Sequence, residues 1–546
     1  MPGATLNSTA TASALSPRSN GPTWASVLDQ RVQADDGLVY AAADGARLSF
    51  PAPDPETGEA VGPETPGSRL TLSWDDETDG AVRITAPDTG LIQVFHSPVA
   101  TADDAAVDLP LQHIQDRNGN RITLVYDEGD IPGAVVHSGG YRIALDRHPS
   151  LSRITGLRLL DPAAPQAPGT TLLTFGYDEA GHLTEETNSS GLSMRYTYDA
   201  DGRITSWTDR NATTYWYAYD DQGRVVATGG TGDALASTLV YDDATRTTTV
   251  TNSLGHTRVY QHNEALRLIR ETDPLGHVTE QEWNENLQLI AVTDPLGQVV
   301  QYRHDELGRV TRVVRPDGTE LATEYNELRL PTLMVDPAGS QWVQEYDGSG
   351  NPVAVTDPAG RTTNFAYDGT GGLRLGTDAL GHSMLPRNEK AGMPVEVTDA
   401  LGAVRACERD GFGRPIILTD SLGARMRLEG TAEGKLARRT SADESEETWL
   451  YDGEGNRTHH TDANGGVSRF EYTHFDVIAA HTGADGVRHE FAYDSELRRV
   501  QVLNPQGLTW DYEYDAAGRL VAESNFDGPT MLRPHPHQRP CQSFAC

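Results

Sequence analysis

From about residue 170 onward, apolar and polar side chains alternate in short runs, as in Met194-Arg195-Tyr196-Thr197-Tyr198, Val299-Val300-Gln301-Tyr302-Arg303-His304 and Thr509-Trp510-Asp511-Tyr512-Glu513-Tyr514. A two-residue rhythm is that of a strand with one covered face. The runs recur in phase. With the aromatic of a Tyr-Asp-x-x-Gly pattern as marker, the series is Tyr177, Tyr198, Tyr219, Tyr241, His262, Trp283, His304, Tyr325, Tyr346, Tyr367, Asn388, Arg409, Gly430, Tyr451, Tyr472, Tyr493 and Tyr514. That is 17 units with a step of 21 residues, broken once by a step of 22 between Tyr219 and Tyr241. Glycine stands four places after the marker in 11 units and fourteen places after it in 14. Two glycines per unit predict two turns, so each unit reads as strand, turn, strand, turn.

The turn residues have separate physical reasons. Aspartate accepts hydrogen bonds from backbone two residues on, proline pre-sets φ, and glycine takes the positive φ that a Cβ opposes. The positions expected to carry the first turn are Tyr177, Asp178 and Gly181; Tyr198, Asp199, Gly202 and Arg203; Tyr219, Asp220, Gly223 and Arg224; Tyr451, Asp452 and Gly455; and Tyr514, Asp515, Gly518 and Arg519. Gly276, Gly297 and Gly360 close the second turn, spelled Asp-Pro-x-Gly. Two strands in each of 17 units exceed what an open twisted sheet holds without curling. The expected fold is all-β: an array of 21-residue hairpins coiled into a hollow or partly open, cocoon-like spiral sheet. Four regions follow: 1–20, small and polar, expected to be disordered; 21–165, an N-terminal β domain capping the first hairpins; 166–530, the array; and 531–546, a non-repeat tail. That tail, with its prolines and cysteines, reads as frameshifted or truncated, which would leave an exposed edge strand near 509–525 and a tendency to self-associate.

Composition narrows the chemistry. Asp and Glu number 79 against 44 Lys and Arg, a net charge of −35, which disfavours nucleic-acid backbone and anionic membrane as partners. Cys407, Cys541 and Cys546 are too few and too scattered for a disulfide framework. No signal peptide and no 18-residue apolar span is visible. No nucleophile-elbow, phosphate-loop, His-Glu-x-x-His or Cys-x-x-Cys spacing occurs, and the expectation is a protein that is not an enzyme and takes no cofactor. His262 and His304 sit at the marker position and read as wall residues. Neighbouring carboxylates such as Asp220/Asp221 and Asp242/Asp243 point to opposite faces of a strand and read as solvated turns, not as a glycosidase dyad. Asp116, Asn118, Asn120 and Asp127 have calcium-loop spacing, but Arg121 stands where the loop needs glycine; a hairpin turn is the preferred reading. His535, His537, Cys541 and Cys546 match no zinc module, so no metal site is assigned.

The signature Tyr-Asp-x-x-Gly-Arg-[Leu/Ile/Val], present as Tyr198–Ile204, Tyr219–Val225 and Tyr514–Leu520, resembles that of the Rhs/YD-repeat family over residues 166–530. Asp116–Ile122 and His137–Tyr141 resemble the region preceding the repeats in bacterial Rhs proteins. The resemblance implies a non-enzymatic β-shell that packages a C-terminal toxin for delivery in interbacterial competition, with a secreted or cell-surface location and a dedicated export apparatus. The family's cleavage segment and a toxin domain are not found in this sequence. The alternative is a surface adhesion or carbohydrate-binding repeat protein, since aromatic rows on a sheet can stack sugars.

Overall fold

A computed structural model describes residues 5–6, 24–34, 37–54, 56–78, 80–96, 107–127, 131–161, 164, 167–528 and 530–532. Among them are forty-eight β-strands, two short 3-10 turns and no α-helix. The all-β expectation holds. In the array, six-residue strands that end on the marker alternate with five-residue strands, as in Ser193–Tyr198, Ile204–Thr208 and Thr214–Tyr219. Neighbours in sequence pair antiparallel, and the ladder shifts register at the marker, where Thr197 faces Ser206 but Tyr198 faces Ile204. The same shift recurs at Tyr219, Trp283, Tyr325, Tyr451 and Tyr514.

The chain forms two compact units. The first comprises Met1–Ser189, Arg303–Val314 and Thr319–Gly434, the second Ser190–Tyr302, Arg315–Gly318 and Lys435–Cys546. The first holds the larger apolar core, in which Val32, Phe50, Leu72, Val82, Ile84, Phe95 and Leu111 are at most 1% exposed. Tyr40 lies in that core edge-on to Phe95, with its hydroxyl donating to Gln30 at 2.6 Å, and burial pushes its pKa up to about 12. The N-terminal β region continues into the repeats, since Ile154–Leu160 pairs with Thr170–Tyr177. It does more than cover the first hairpin. Arg69 donates to the Gly308 carbonyl, Arg117 to that of Leu328 and Asn120 to that of Thr370, so its turns also seat on those of later repeats. The Asp116–Asn120 segment is a hairpin turn, with the Asp116 carboxylate accepting the backbone N–H groups of Asn118 and Asn120, both at 2.9 Å.

The open edge expected at 509–525 is not there. Leu520–Ser524 pairs with a further strand, Thr530–Leu532, because Ala522, Glu523 and Ser524 face Leu532, Met531 and Thr530. The short run Thr-Met-Leu after Pro529 has strand character too brief for periodicity to show. At the other end, Thr5–Leu6 pairs with Trp24–Ala25. The remainder of 1–20 and residues 533–546, including His535, His537, Cys541 and Cys546, lie outside the described residues. Among the described residues no helix is long and apolar enough to cross a membrane.

Candidate functional site

The repeat motif is a lock of hydrogen bonds. At Asp199 the backbone N–H donates to the Arg203 carbonyl at 3.0 Å, while Oδ1 accepts the N–H of Asp201 and of Arg203 at 3.0 and 2.9 Å. Oδ2 accepts Arg203 Nε at 2.7 Å. Asp220 with Arg224, and Asp515 with Arg519, repeat this geometry. Asp178 holds His182, and Asp452 holds Asn456, in the arginine's place. The second turn uses the same device, with Asp273 accepting the Leu275 and His277 N–H groups and pairing with the His277 ring at 2.9 Å. Burial alone would raise the Asp199 and Asp515 carboxyls, but the backbone N–H and guanidinium of the following arginine outweigh it and hold both below the ordinary 3.8. At Asp220 the Arg224 N–H is the largest influence, in the same direction.

Glycine closes each lock in the left-handed region, Gly202 at φ 76° and Gly276 at φ 82°. Where the sequence departs from glycine the backbone does not, and Leu266, Leu287 and Leu497 are held at φ 58°. A side chain in that region costs about 1–2 kcal/mol, and glycine's extra freedom in the unfolded chain returns about 0.5–1. Leu266 is 76% exposed, so little packing is at stake. Leu266→Gly is therefore expected to stabilise by about 0.5–1 kcal/mol, read as a higher urea midpoint at unchanged slope.

Each lock is tied to the next unit. Arg203 lies 4.8 Å from the centroid of Tyr219, and Arg224, Arg309 and Arg498 cover Tyr241, Tyr325 and Tyr514 in the same way. The covered ring reaches back: Tyr219 Oη donates to the Ile204 carbonyl at 2.7 Å, Tyr451 to Leu436 at 2.7 Å and Tyr514 to Arg499 at 2.9 Å. Tyr177 makes the equivalent contact to Ile154. This contact explains three of the units in which the marker is not tyrosine. Trp283 Nε1, Asn388 Nδ2 and the Arg409 guanidinium each donate to the carbonyl fifteen residues upstream, at 2.8, 2.9 and 2.9 Å. In these units the position supplies a side-chain donor, not an aromatic as such. Tyr367→Phe, which deletes one such bond to the Pro352 carbonyl at 2.9 Å, should cost about 1 kcal/mol in denaturant titration.

A second set of contacts joins turns far apart in sequence. In the second unit, Glu454 Oε1 accepts the Arg210 backbone N–H at 2.6 Å, and Glu454 Oε2 pairs with the Arg210 guanidinium at 3.3 Å. Glu496 accepts the Ser253 N–H at 3.0 Å, as well as the Ser253 hydroxyl. In the first unit Glu433 does the same for the Ser189 N–H at 3.0 Å. The three glutamates stand three places after a marker and the three N–H donors of the clasp twelve places after one, at separations of 244, 244 and 243 residues. Gly453 is required by this approach, because a Cβ there would meet the Arg210 Cβ at 2.9 Å. Where the 22-residue step breaks the period, Phe475 replaces the glutamate and packs edge-on against Trp207 and Tyr215, with Gly230 leaving room for its ring. Sequence reasoning missed this seam; the recurrence of Glu three places after Gly430, Tyr451 and Tyr493 was the available signal.

A cavity of about 340 Å³ lies along the seam of the second unit, between the segment 237–274 and the segment 496–518. Tyr260, His256, Asn252, Arg258, Glu496 and Arg498 line it. Among the described residues no group of three or more His, Cys, Asp or Glu side chains is arranged to hold a metal ion.

Hairpins locked through Asp, Gly and a reach-back donor, and clasped turn to turn, define an all-β hairpin-repeat protein. A family model of the RHS Repeat matches residues 283–320, 346–382 and 493–530, and one of the Teneurin YD-shell matches 169–264. The chain is an Rhs/YD-repeat protein. Its fold is similar to the crystal structure of TcdB2-TccC3-TEV, at 12% identity and TM-score 0.57 over 88% of this chain and 33% of that one. The Photorhabdus luminescens Tc holotoxin pore matches at 12% identity and TM-score 0.53, over 94% of this chain and 34% of that one. TcdB2-TccC3 without its hypervariable C-terminal region also gives 0.53 at 12% identity, over 90% and 37%. The chain thus spans about a third of the length of these structures. No curated protein matches it in sequence.

Proposed function

We propose that this chain is a structural, non-catalytic part of a toxin carrier, a β-wall that encloses a C-terminal toxin for delivery in interbacterial competition from a secreted or cell-surface assembly. The clasped seam is the observation that carries the reading. Glu433, Glu454 and Glu496 close turn edges that would otherwise leave gaps in a hairpin wall. The RHS and YD-shell matches and the likeness to Tc toxin structures support it. The turn carboxylates support the non-catalytic part, since Asp199, Asp220, Asp273 and Asp515 are all engaged by backbone N–H groups and side chains of their own turn. The test is protease protection. A reporter polypeptide appended to the C-terminus should resist proteinase K in the intact chain and be digested in the isolated form. Equal digestion of both would refute enclosure.

A further inference from the structure

The clasp series has a gap, and the cavity lies at it. Following Glu454/Arg210 and Glu496/Ser253, the next pair in register is Ala517/Pro274. Alanine brings no carboxylate and proline no N–H, so neither half of the clasp can form. Pro274, Ala516, Ala517 and Gly518 instead form one wall of the 340 Å³ cavity, a volume at the lower end of that of small-ligand sites. In place of the clasp Arg519 approaches Asp273 at 3.9 Å, and beside that looser contact lies an opening lined by hydrogen-bonding side chains.

The lining indicates the chemistry. Its cations already hold carboxylates: Arg258 pairs with Glu271, and Arg498 donates to Asp494 at 2.8 Å. Glu496 adds a negative charge, within a chain of net −35, so an anionic ligand is disfavoured. A bare cation would face both guanidinium groups. The remaining groups suit a neutral polyhydroxylated molecule. His256 lines this space, and its Nδ1 has no hydrogen-bond partner. The Asn252 amide, the Ser237 hydroxyl and the Tyr260 phenol line the same space, and the phenol ring offers an apolar face.

We infer that this cavity is a binding site for a neutral sugar residue of hexose size, created by the missing clasp at Ala517/Pro274. The inference stands apart from toxin enclosure and needs only this chain. The experiment is saturation-transfer NMR and calorimetric titration of the full chain with glucose, N-acetylglucosamine and glucuronate. Two variants accompany it. Pro274→Ser with Ala517→Glu restores both halves of the clasp and fills the cavity, and His256→Ala removes the ring with the unpartnered Nδ1 while leaving the turn's backbone bonds intact. The expected result is binding of at least one neutral sugar, weakened at least tenfold in the double variant and several-fold in His256→Ala, with melting temperatures no lower than that of the parent. No binding of either neutral sugar to the folded parent, binding of glucuronate alone, or sugar binding unchanged in the double variant would each overturn it.

Discussion

Acidification from pH 7 to pH 3 is expected to lower the melting temperature of this protein progressively, with most of the loss below about pH 4. The carboxyls of Asp199, Asp220, Asp273, Asp305, Asp357, Asp410 and Asp515 all lie below their ordinary 3.8 in the folded chain. For Asp199, Asp273, Asp305, Asp410 and Asp515 burial opposes the shift but is outweighed by hydrogen bonds from the turn; for Asp220 and Asp357 hydrogen bonds from the following arginine dominate outright. Between the folded and unfolded values the unfolded chain binds more protons, so stability rises with pH there. The stabilisation is fully present above the unfolded value of 3.8 and is lost as pH falls through the folded values. One such turn would be a small effect, but the same sign recurs in unit after unit, and in a repeat array local stabilities sum with their interfaces. Calorimetric scans at pH 7, 5, 4 and 3 test this. A melting temperature that is flat down to pH 3 would show that the aspartates do not hold the turns as charged groups.

Glu454→Ala is the second large expected effect. The Arg210 side chain is 8% exposed and that of Glu454 18%, so this clasp is largely shielded from solvent, unlike a surface ion pair. The glutamate serves both the backbone N–H and the guanidinium of Arg210, and removing it deprives a buried charge of its carboxylate. The cost should be about 2–4 kcal/mol. Glu454→Gln, which keeps an acceptor for the N–H, should cost less. Hydrogen exchange would localise the effect. Amides of the turns at 209–213 and 452–456 should lose protection in Glu454→Ala, while those at 336–340 in the first unit keep theirs.

The turns were legible because their chemistry is local. Asp, Gly and the residue after Gly act within five positions of one another, and a one-dimensional reading recovers them. The reach-back bond was only half legible. The marker series placed Trp283, Asn388 and Arg409 in phase but gave no reason for them, whereas each supplies a donor to the equivalent carbonyl. The seam was hidden because its separations of 243 and 244 residues are not multiples of 21. No periodicity search brings Glu454 and Arg210 together, since their contact depends on how the ribbon is laid edge to edge. The strand Thr530–Leu532 was missed for the opposite reason, being only three residues long.

The pairing order has a kinetic consequence. In the array, strands bond to their immediate neighbours in sequence, so each hairpin can close as soon as about twenty residues are available, on the microsecond timescale of hairpin formation. The seam belongs to another regime, because Glu454 cannot meet Arg210 until 243 intervening residues have emerged. During synthesis at roughly 5–20 residues per second, a hairpin's worth of chain appears in a few seconds, whereas the clasp must wait on the order of tens of seconds. The ribbon therefore zips from its N-terminal end as it is made, and its seam is sealed late.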